Sequence, residues 1–126
     1  MPLRPALALL SLGLAAPAVA DPMLADFSYG WPVSRHSLVS QDEAMEMAYI
    51  DVKPTRPNGR TAVLLHGKNF CAGTWDATIR ALAGAGFRVI APDIVGFGYT
   101  ERPADTAYDM ARWTEHAIGV LDALDI

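Results

Sequence analysis

The chain has 126 residues, enough for one small domain, and its 14 acidic and 10 basic side chains give a formal net charge of −4. An acidic chain without a basic run has nothing to neutralise a row of phosphates, so we expect no nucleic-acid partner. The single cysteine, Cys71, excludes an intrachain disulfide. Because no basic residue lies next to it, we interpret Cys71 as a small apolar residue beside a helix start rather than a reactive thiol.

Residues 1–20 have the layout of a secretory signal peptide. A positive start that contains Arg4 precedes the apolar run "ALALLSLGLAA", and Ala18-Val19-Ala20 is a small-x-small cleavage site. A transmembrane anchor is the alternative, but the run is shorter than the ~20 residues that a bilayer requires, and Pro17 breaks it. We therefore predict cleavage before Asp21, export to the periplasm or the medium, and no membrane association of the mature chain.

The mature chain is predicted to divide into an extended arm, residues 21–33, and one domain, residues 34–126. The arm carries Phe27, Tyr29 and Trp31 and is expected to pack over the domain. Since it has no clear hydrophobic period, neither a helix nor a strand is predicted for it.

Four strands are predicted in the domain. "SRHSLVS" (34–40) and the alternating "EMAYIDVKP" (46–54) form an antiparallel pair around the turn "QDE". The continuous apolar runs "TAVLLHG" (61–67) and "FRVIAPD" (87–93) are typical of strands buried on both faces of a parallel sheet.

Two helices complete the predicted domain. Trp75, Ile79 and Leu82 form one stripe of a short helix, which ends in "GAGF", where Gly84 or Gly86 can take the left-handed conformation. Asp109 is placed to cap a second helix. The apolar face expected for that helix comprises Met110, Trp113, Ala117, Leu121 and Leu124.

Strands that alternate with helices predict parallel pairing through right-handed crossovers, with the antiparallel pair added at the edge of the sheet. The fold class is therefore α/β. A four-stranded sheet with two helices leaves apolar surface uncovered, so we interpret the chain as the N-terminal part of a longer protein.

Two strand ends bring glycines and polar residues to one edge of this sheet, where open parallel sheets bind ligands. They are His66-Gly67-Lys68-Asn69 and the segment from Asp93 to Gly98. A sharp turn at Gly67 would leave the backbone N–H of Lys68, and that of Asn69 as a second candidate, facing the cleft, as an oxyanion hole requires. An ordinary strand-to-helix turn, with His66 packed beneath it, fits the spacing equally well.

The segments "VLLHGKNFCAGTW" and "GFRVIAPDIVGFGYTERP", followed by a helix that ends in "LDALDI", resemble the α/β-hydrolase fold superfamily. The resemblance is to its proline iminopeptidase-like and epoxide hydrolase-like branch and covers about residues 34–126. It implies the N-terminal part of a hydrolase sheet: antiparallel leading strands, then parallel βαβ units, ending before the nucleophile strand. It also implies a hydrolase for an ester, amide or related bond of a small molecule, and we expect no cofactor.

The resemblance assigns roles to individual residues. Lys68 falls where the family has the donor of one oxyanion-hole N–H, so His66 is implied to be a structural residue and not the catalytic base. Asp93 is expected to accept hydrogen bonds from backbone amides. The other implied loop residues are Gly67, Gly96 and Gly98, and the candidate pocket-wall residues are Phe70, Phe97 and Tyr99.

The nucleophile of this family lies in a Gly-x-Ser-x-Gly turn or in a version with Asp, and no serine of this chain has the flanking glycines. The serines are Ser11, Ser28, Ser34, Ser37 and Ser40. We therefore expect the nucleophile beyond Ile126 and no activity from this chain alone. His36 and His116 are expected to lie away from the cleft, with His116 on the surface. The three histidines lack metal-ligand spacing, so we expect no metal site.

Three alternatives remain. An Asp nucleophile, as in epoxide hydrolases and haloalkane dehalogenases, fits the same residues, although Lys68 after His-Gly departs from the side chains expected in dehalogenases. A non-catalytic binding protein could also use this fold, because fold does not dictate function. A nucleotide-binding module is disfavoured, because "GAGF" follows a helix, whereas a dinucleotide fingerprint follows a strand and opens a helix.

Overall fold

The structure, a computed structural model, describes residues 27–100 and 108–126. The predicted signal peptide, its cleavage site and the first residues of the arm lie outside the described residues. The elements are β1 (Val33–Ser40), β2 (Glu43–Val52), β3 (Thr61–Val63), a 3₁₀ helix (Ala72–Trp75), α1 (Asp76–Gly84), β4 (Arg88–Pro92) and α2 (Met110–Ala123). Neither of the two α-helices in these ranges combines the length and the apolarity needed to cross a membrane.

The four strands form one mixed sheet in the order β1-β2-β4-β3. β1 and β2 pair antiparallel from Val33↔Ile50 to Ser40↔Glu43 around a two-residue turn, and β2 also pairs antiparallel with β4. β3 and β4 are parallel, with Thr61 opposite Arg88. The predicted α/β class, the antiparallel leading pair and the parallel βαβ unit are confirmed; β1 begins one residue before its predicted boundary.

The predicted extent of the strand over residues 61–67 is wrong, and within the described residues this strand is not buried on both faces. β3 contains only three residues and lies at the edge of the described sheet, with 37 % of Val63 and 53 % of Leu65 exposed. β4, between β2 and β3, does have the predicted burial, since Val89, Ile90 and Ala91 are inaccessible to solvent. A continuous apolar run therefore describes β4, which has a neighbour on each side, but not β3, which has one among the described strands.

Two apolar clusters lie on opposite faces of the sheet. Ile50 on β2 packs with Ile79 of α1, Val89 and Ala91, and with Tyr29 of the arm. The other face joins Met45, Met47, Val95 and Val120. The alternation read in β2 therefore sends successive side chains into two cores, as the pleat of a strand requires.

The end of α1 and the start of α2 both lie at the predicted capping residues. Gly86, just after α1, has φ +92°, and a Cβ there would lie 2.7 Å from the carbonyl oxygen of Arg56. At the start of α2, the carboxylate of Asp109 accepts a hydrogen bond from the backbone N–H of Arg112 at 2.8 Å. Capping is a short-range interaction, which explains why the sequence alone located both ends.

The predicted face of α2 is partly wrong. Met110 is 71 % exposed, whereas the buried residues of the helix are His116, Ala117 and Val120. His116 was predicted at the surface but is only 4 % exposed. The predicted face was chosen from apolar residues only, so it left out His116. This residue lies one helical turn before Val120, on the buried side of α2.

Candidate functional site

A tight turn follows β3 and presents the candidate donors. The N–H of Phe70 donates to the carbonyl of Gly67 at 3.1 Å, and Asn69, in the third position of the turn, has φ +68°. The left-handed residue is therefore Asn69, a residue type that tolerates this conformation. The sharp turn was expected at Gly67, yet Gly67 lies outside the left-handed region, and a Cβ there would meet only Phe70, at 3.7 Å.

The backbone N–H groups of Lys68 and Asn69 are the candidate donors of this turn. Both residues are exposed, and neither N–H donates a hydrogen bond within the described ranges. Lys68 also lines an open, largely apolar cleft of ≈ 700 Å³. The other residues that line this cleft are Gly96, Phe97, Tyr108, Asp109, Met110 and Trp113.

His66 is buried beneath this turn and contacts backbone through both ring nitrogens. Nε2 accepts the N–H of Ile94 at 2.9 Å, and Nδ1 lies 2.9 Å from the carbonyl oxygen of Gly67. Since the N–H of Ile94 can only donate, Nε2 carries no proton and Nδ1–H donates to Gly67. The imidazole is therefore neutral with both nitrogens engaged, which leaves none to accept a proton from a nucleophile.

Asp93 is fully buried where β4 ends, and its carboxylate accepts hydrogen bonds from three donors of the described residues. Oδ1 accepts the backbone N–H of Ala72 at 2.6 Å, and Oδ2 accepts the N–H of Tyr99 at 2.7 Å and the hydroxyl of Tyr29 at 2.7 Å. Three donors compensate a carboxylate withdrawn from water. Asp93 thereby connects the 3₁₀ helix, its own loop and the N-terminal arm.

The loop after β4 needs glycine at two positions. Gly96 has φ +92°, and a Cβ there would lie 2.6 Å from the ring of Tyr108. Gly98 has φ +55°, and a Cβ there would overlap the carboxylate of Asp93. The predicted loop glycines therefore let the chain fold tightly around Asp93 and let an aromatic ring cover the loop.

The three candidate pocket-wall residues lie in different places. Phe97 lines the cleft and packs edge-on against Trp113, with ring centroids 5.9 Å apart. Tyr99 stacks on Tyr29 at 4.2 Å, and burial raises the pKa of its phenol. Phe70 is exposed and is not among the residues that line the cleft.

Sequence reasoning missed Tyr108, Met110 and Trp113 as cleft residues. Trp113 was assigned to the core stripe of α2, and its indole N–H donates to the carbonyl of Val95 at 3.2 Å. It also missed the contact of Tyr29 with Asp93, for which the aromatic composition of the arm was the available signal. The serines that the structure describes lie on the arm and on β1, and none lines the cleft. No group of three potential metal ligands occurs among the described residues.

The chain matches a family model described as alpha/beta hydrolase fold over residues 61–126. Among curated relatives, it is 77 % identical over 39 residues to a 2-hydroxymuconate semialdehyde hydrolase of Pseudomonas putida, covering 31 % of this chain and 14 % of that protein. It is also 42 % identical over 72 residues to epoxide hydrolase A of Mycobacterium tuberculosis, covering 56 % and 22 %.

A solved structure of a probable hydrolytic enzyme from Pseudomonas aeruginosa PAO1 superposes with a TM-score of 0.81 at 45 % identity. That match covers 83 % of this chain and 34 % of the solved one. The chain therefore spans 14 % and 22 % of the two curated relatives and about a third of the solved structure. The family model and the superposed structure agree with the mixed α/β sheet described above. This chain belongs to the α/β-hydrolase fold family.

Proposed function

We propose that the chain is the N-terminal part of an exported hydrolase that cleaves an ester, amide or related bond of a small molecule. In this proposal the backbone N–H of Lys68 is an oxyanion-hole donor, and the N–H of Asn69 is the second candidate. The observation that carries the proposal is the turn after β3, where Lys68 and Asn69 are exposed and their N–H groups find no acceptor within the described residues, and where Lys68 lines an apolar cleft.

The turn has the rigidity that such a site needs. Attack on a carbonyl carbon places negative charge on its oxygen, and donors that are already oriented stabilise that charge without reorganisation. His66 holds the start of the turn to Ile94, and Asp93 holds Ala72 just beyond it. One backbone donor of this kind contributes about 3 kcal/mol to lowering the barrier.

The nucleophile is proposed to be a serine in a Gly-x-Ser-x-Gly turn encoded beyond Ile126, because the matched relatives are several times longer than the region shared with this chain. The 126-residue chain alone is then inactive. Incubation with p-nitrophenyl acetate, beside the complete polypeptide (the full product of the gene), tests this. Turnover by the 126-residue chain above the buffer rate would contradict the proposal.

The donor role of Lys68 can be tested in the complete polypeptide with two substitutions. Lys68→Pro removes the backbone N–H at the second position of the turn, where proline is accommodated, and Lys68→Ala removes only the side chain. We expect Lys68→Pro to lower kcat by about 10²–10³ with a small change in KM. Lys68→Ala should stay within about threefold of wild type, because its N–H is retained. Equal losses in both variants would assign the effect to the side chain instead.

Export is proposed from the layout of residues 1–20. Expression of the complete polypeptide with its own N-terminus, followed by fractionation and N-terminal sequencing, tests the cleavage site. The exported form should begin at Asp21. Recovery of the protein in the membrane fraction with residues 1–20 attached would show an anchor instead.

A second candidate is an enzyme with an Asp nucleophile, which the similarity to epoxide hydrolase A over 72 residues favours. The residue at the nucleophile turn distinguishes the two candidates. Sequencing the gene beyond the codon of Ile126 shows whether Ser or Asp lies between the glycines. Parallel assays with p-nitrophenyl acetate and styrene oxide then show which substrate class the complete polypeptide turns over.

A further inference from the structure

Tyr29 of the N-terminal arm is anchored as firmly as a core residue. It is 5 % exposed, and its ring stacks on Tyr99 with centroids 4.2 Å apart. On another side the ring meets Gly73, where a Cβ would approach it to 2.7 Å. Its hydroxyl donates to Asp93 Oδ2 at 2.7 Å across 64 residues of sequence. The arm therefore inserts one side chain between the 3₁₀ helix and the loop after β4.

The partner of that hydroxyl also holds the turn that carries the candidate donors. Asp93 Oδ1 accepts the N–H of Ala72 at 2.6 Å, and the neighbouring N–H of Ile94 donates to His66 at 2.9 Å. The segment from His66 to Ala72 is thus fixed at both ends by two consecutive residues. Lys68 and Asn69 lie between these two attachments.

We propose that Tyr29 is a positioning residue for the turn that carries Lys68, acting through Asp93. Among the described residues, its hydroxyl donates from a side chain to a carboxylate that also accepts backbone N–H groups, and it fixes the orientation in which Oδ1 holds Ala72. Burial, followed by the hydrogen bond to Asp93, raises the pKa of Tyr29 above its ordinary range. The phenol therefore keeps its proton and remains a donor at any working pH. This inference rests on the proposed function of the turn.

The arm supplies a matched control for Tyr29. The indole N–H of Trp31 donates to Asp76 Oδ1 at 2.7 Å, the same distance as the bond from Tyr29 to Asp93. Asp76 begins α1 and is not a partner of Asp93. Trp31→Phe therefore removes a hydrogen bond of the same length from the same arm, to a more exposed carboxylate, and leaves the hydrogen bonds of Asp93 in place.

The test compares Tyr29→Phe and Trp31→Phe in the complete polypeptide, with p-nitrophenyl acetate as substrate. Tyr29→Phe keeps the ring that fills the space beside Gly73, so the fold is retained. We expect it to lower kcat about tenfold with KM within about twofold, and to speed amide hydrogen exchange at Ala72 about tenfold, because one bond to a charged group is lost. Trp31→Phe should leave kcat and the exchange at Ala72 within about twofold of wild type.

Unchanged kcat in Tyr29→Phe, or equal losses in the two variants, would overturn the inference, since the second result assigns the effect to the arm as a whole. Faster exchange at Ala72 with wild-type kcat would also overturn it, because the contact would then be structural only. If the wild-type polypeptide shows no hydrolysis, the proposed function fails, and exchange at Ala72 still decides the role of Tyr29. Faster exchange in Tyr29→Phe alone supports the hold on the turn, and unchanged exchange refutes it.

Discussion

The imidazole of His66 accepts the backbone N–H of Ile94 at 2.9 Å and so joins the two loops of the candidate site. The residues are 28 positions apart and follow adjacent parallel strands, β3 and β4. The other ring nitrogen contacts the carbonyl of Gly67, so the ring lies between two backbone groups. His66 is therefore a structural bridge between the backbones of the two loops.

Replacing His66 should destabilise the protein more than replacing a histidine elsewhere on the sheet. His66→Ala leaves the N–H of Ile94 without its acceptor and opens space under the turn, so we expect a loss of about 2 kcal/mol in the free energy of unfolding. His36→Ala, on the half-buried face of β1, should lose less than about 1 kcal/mol. Urea denaturation measures both. Equal losses would show that the two backbone contacts of His66 contribute no more to the free energy of unfolding than the surroundings of His36 do.

Gly98→Ala should be among the most damaging single-methyl substitutions in the loop after β4. The new Cβ overlaps the carboxylate of Asp93, and the residue has φ +55°, so we expect a loss of about 3 kcal/mol or more. Gly119→Ala is the control: this glycine lies inside α2 with nothing within 4 Å of the new Cβ. It should gain about 0.5–1 kcal/mol. Thermal unfolding followed by circular dichroism separates the two, and a tolerated Gly98→Ala would refute the packing around Asp93.

The turn after β3 should depend on Asn69 rather than on Gly67. Asn69→Gly accepts φ +68° and should change stability by a few tenths of a kcal/mol. Asn69→Ala should cost about 1 kcal/mol, because the alanine Cβ crowds the backbone in this region and alanine lacks the short polar side chain by which asparagine tolerates it. Gly67→Ala meets only an ordinary contact with Phe70 and should be tolerated. Guanidinium denaturation of the three variants orders them. A larger loss in Gly67→Ala than in Asn69→Ala would show that the left-handed residue of the turn is Gly67 and not Asn69.

His116 should make stability depend on pH. Burial lowers the pKa of its imidazole from the ordinary value of 6.5, and neither ring nitrogen has a hydrogen-bond partner in the described part of the chain. Below pH 6.5 the unfolded chain binds a proton that the folded chain does not, so stability is lost as the pH falls from 6.5 towards the lowered pKa, with no further loss below it.

His116→Leu should remove this loss and, at pH 8, gain about 1 kcal/mol, since an unpaired buried polar group is replaced by an apolar one of similar size. Urea denaturation at several pH values between 5 and 8 measures the difference from wild type. Thr114→Ala, on the exposed side of the same helix, is the control and should change the free energy of unfolding by the same amount at every pH. A wild type and a His116→Leu variant with parallel pH dependence would contradict the assignment.

Much of the fold could be predicted from the sequence because it depends on short-range interactions. The alternating pattern of β2, the cap of α2 at Asp109 and the left-handed Gly86 after α1 all depend on residues close in sequence. The side-chain period of a strand and the capping of a helix are set by neighbouring backbone groups, so each is visible in a short window. The parallel pairing predicted from alternating strands and helices placed the two strand ends, and therefore the candidate site, at one edge of the sheet.

The amino-acid sequence by itself determined the order of the four strands and two α-helices and the identity of the loops that meet at the site. Only the tertiary structure decided that β3 lies at the edge of the described sheet, that His116 is buried, and that Tyr29 reaches Asp93. Each of these depends on which distant segment covers a given face, and hydrophobic periodicity does not encode that partner. The hydrogen bonds from Ile94 to His66 and from Tyr29 to Asp93 span 28 and 64 residues, and it is these long-range contacts that fix the turn bearing Lys68.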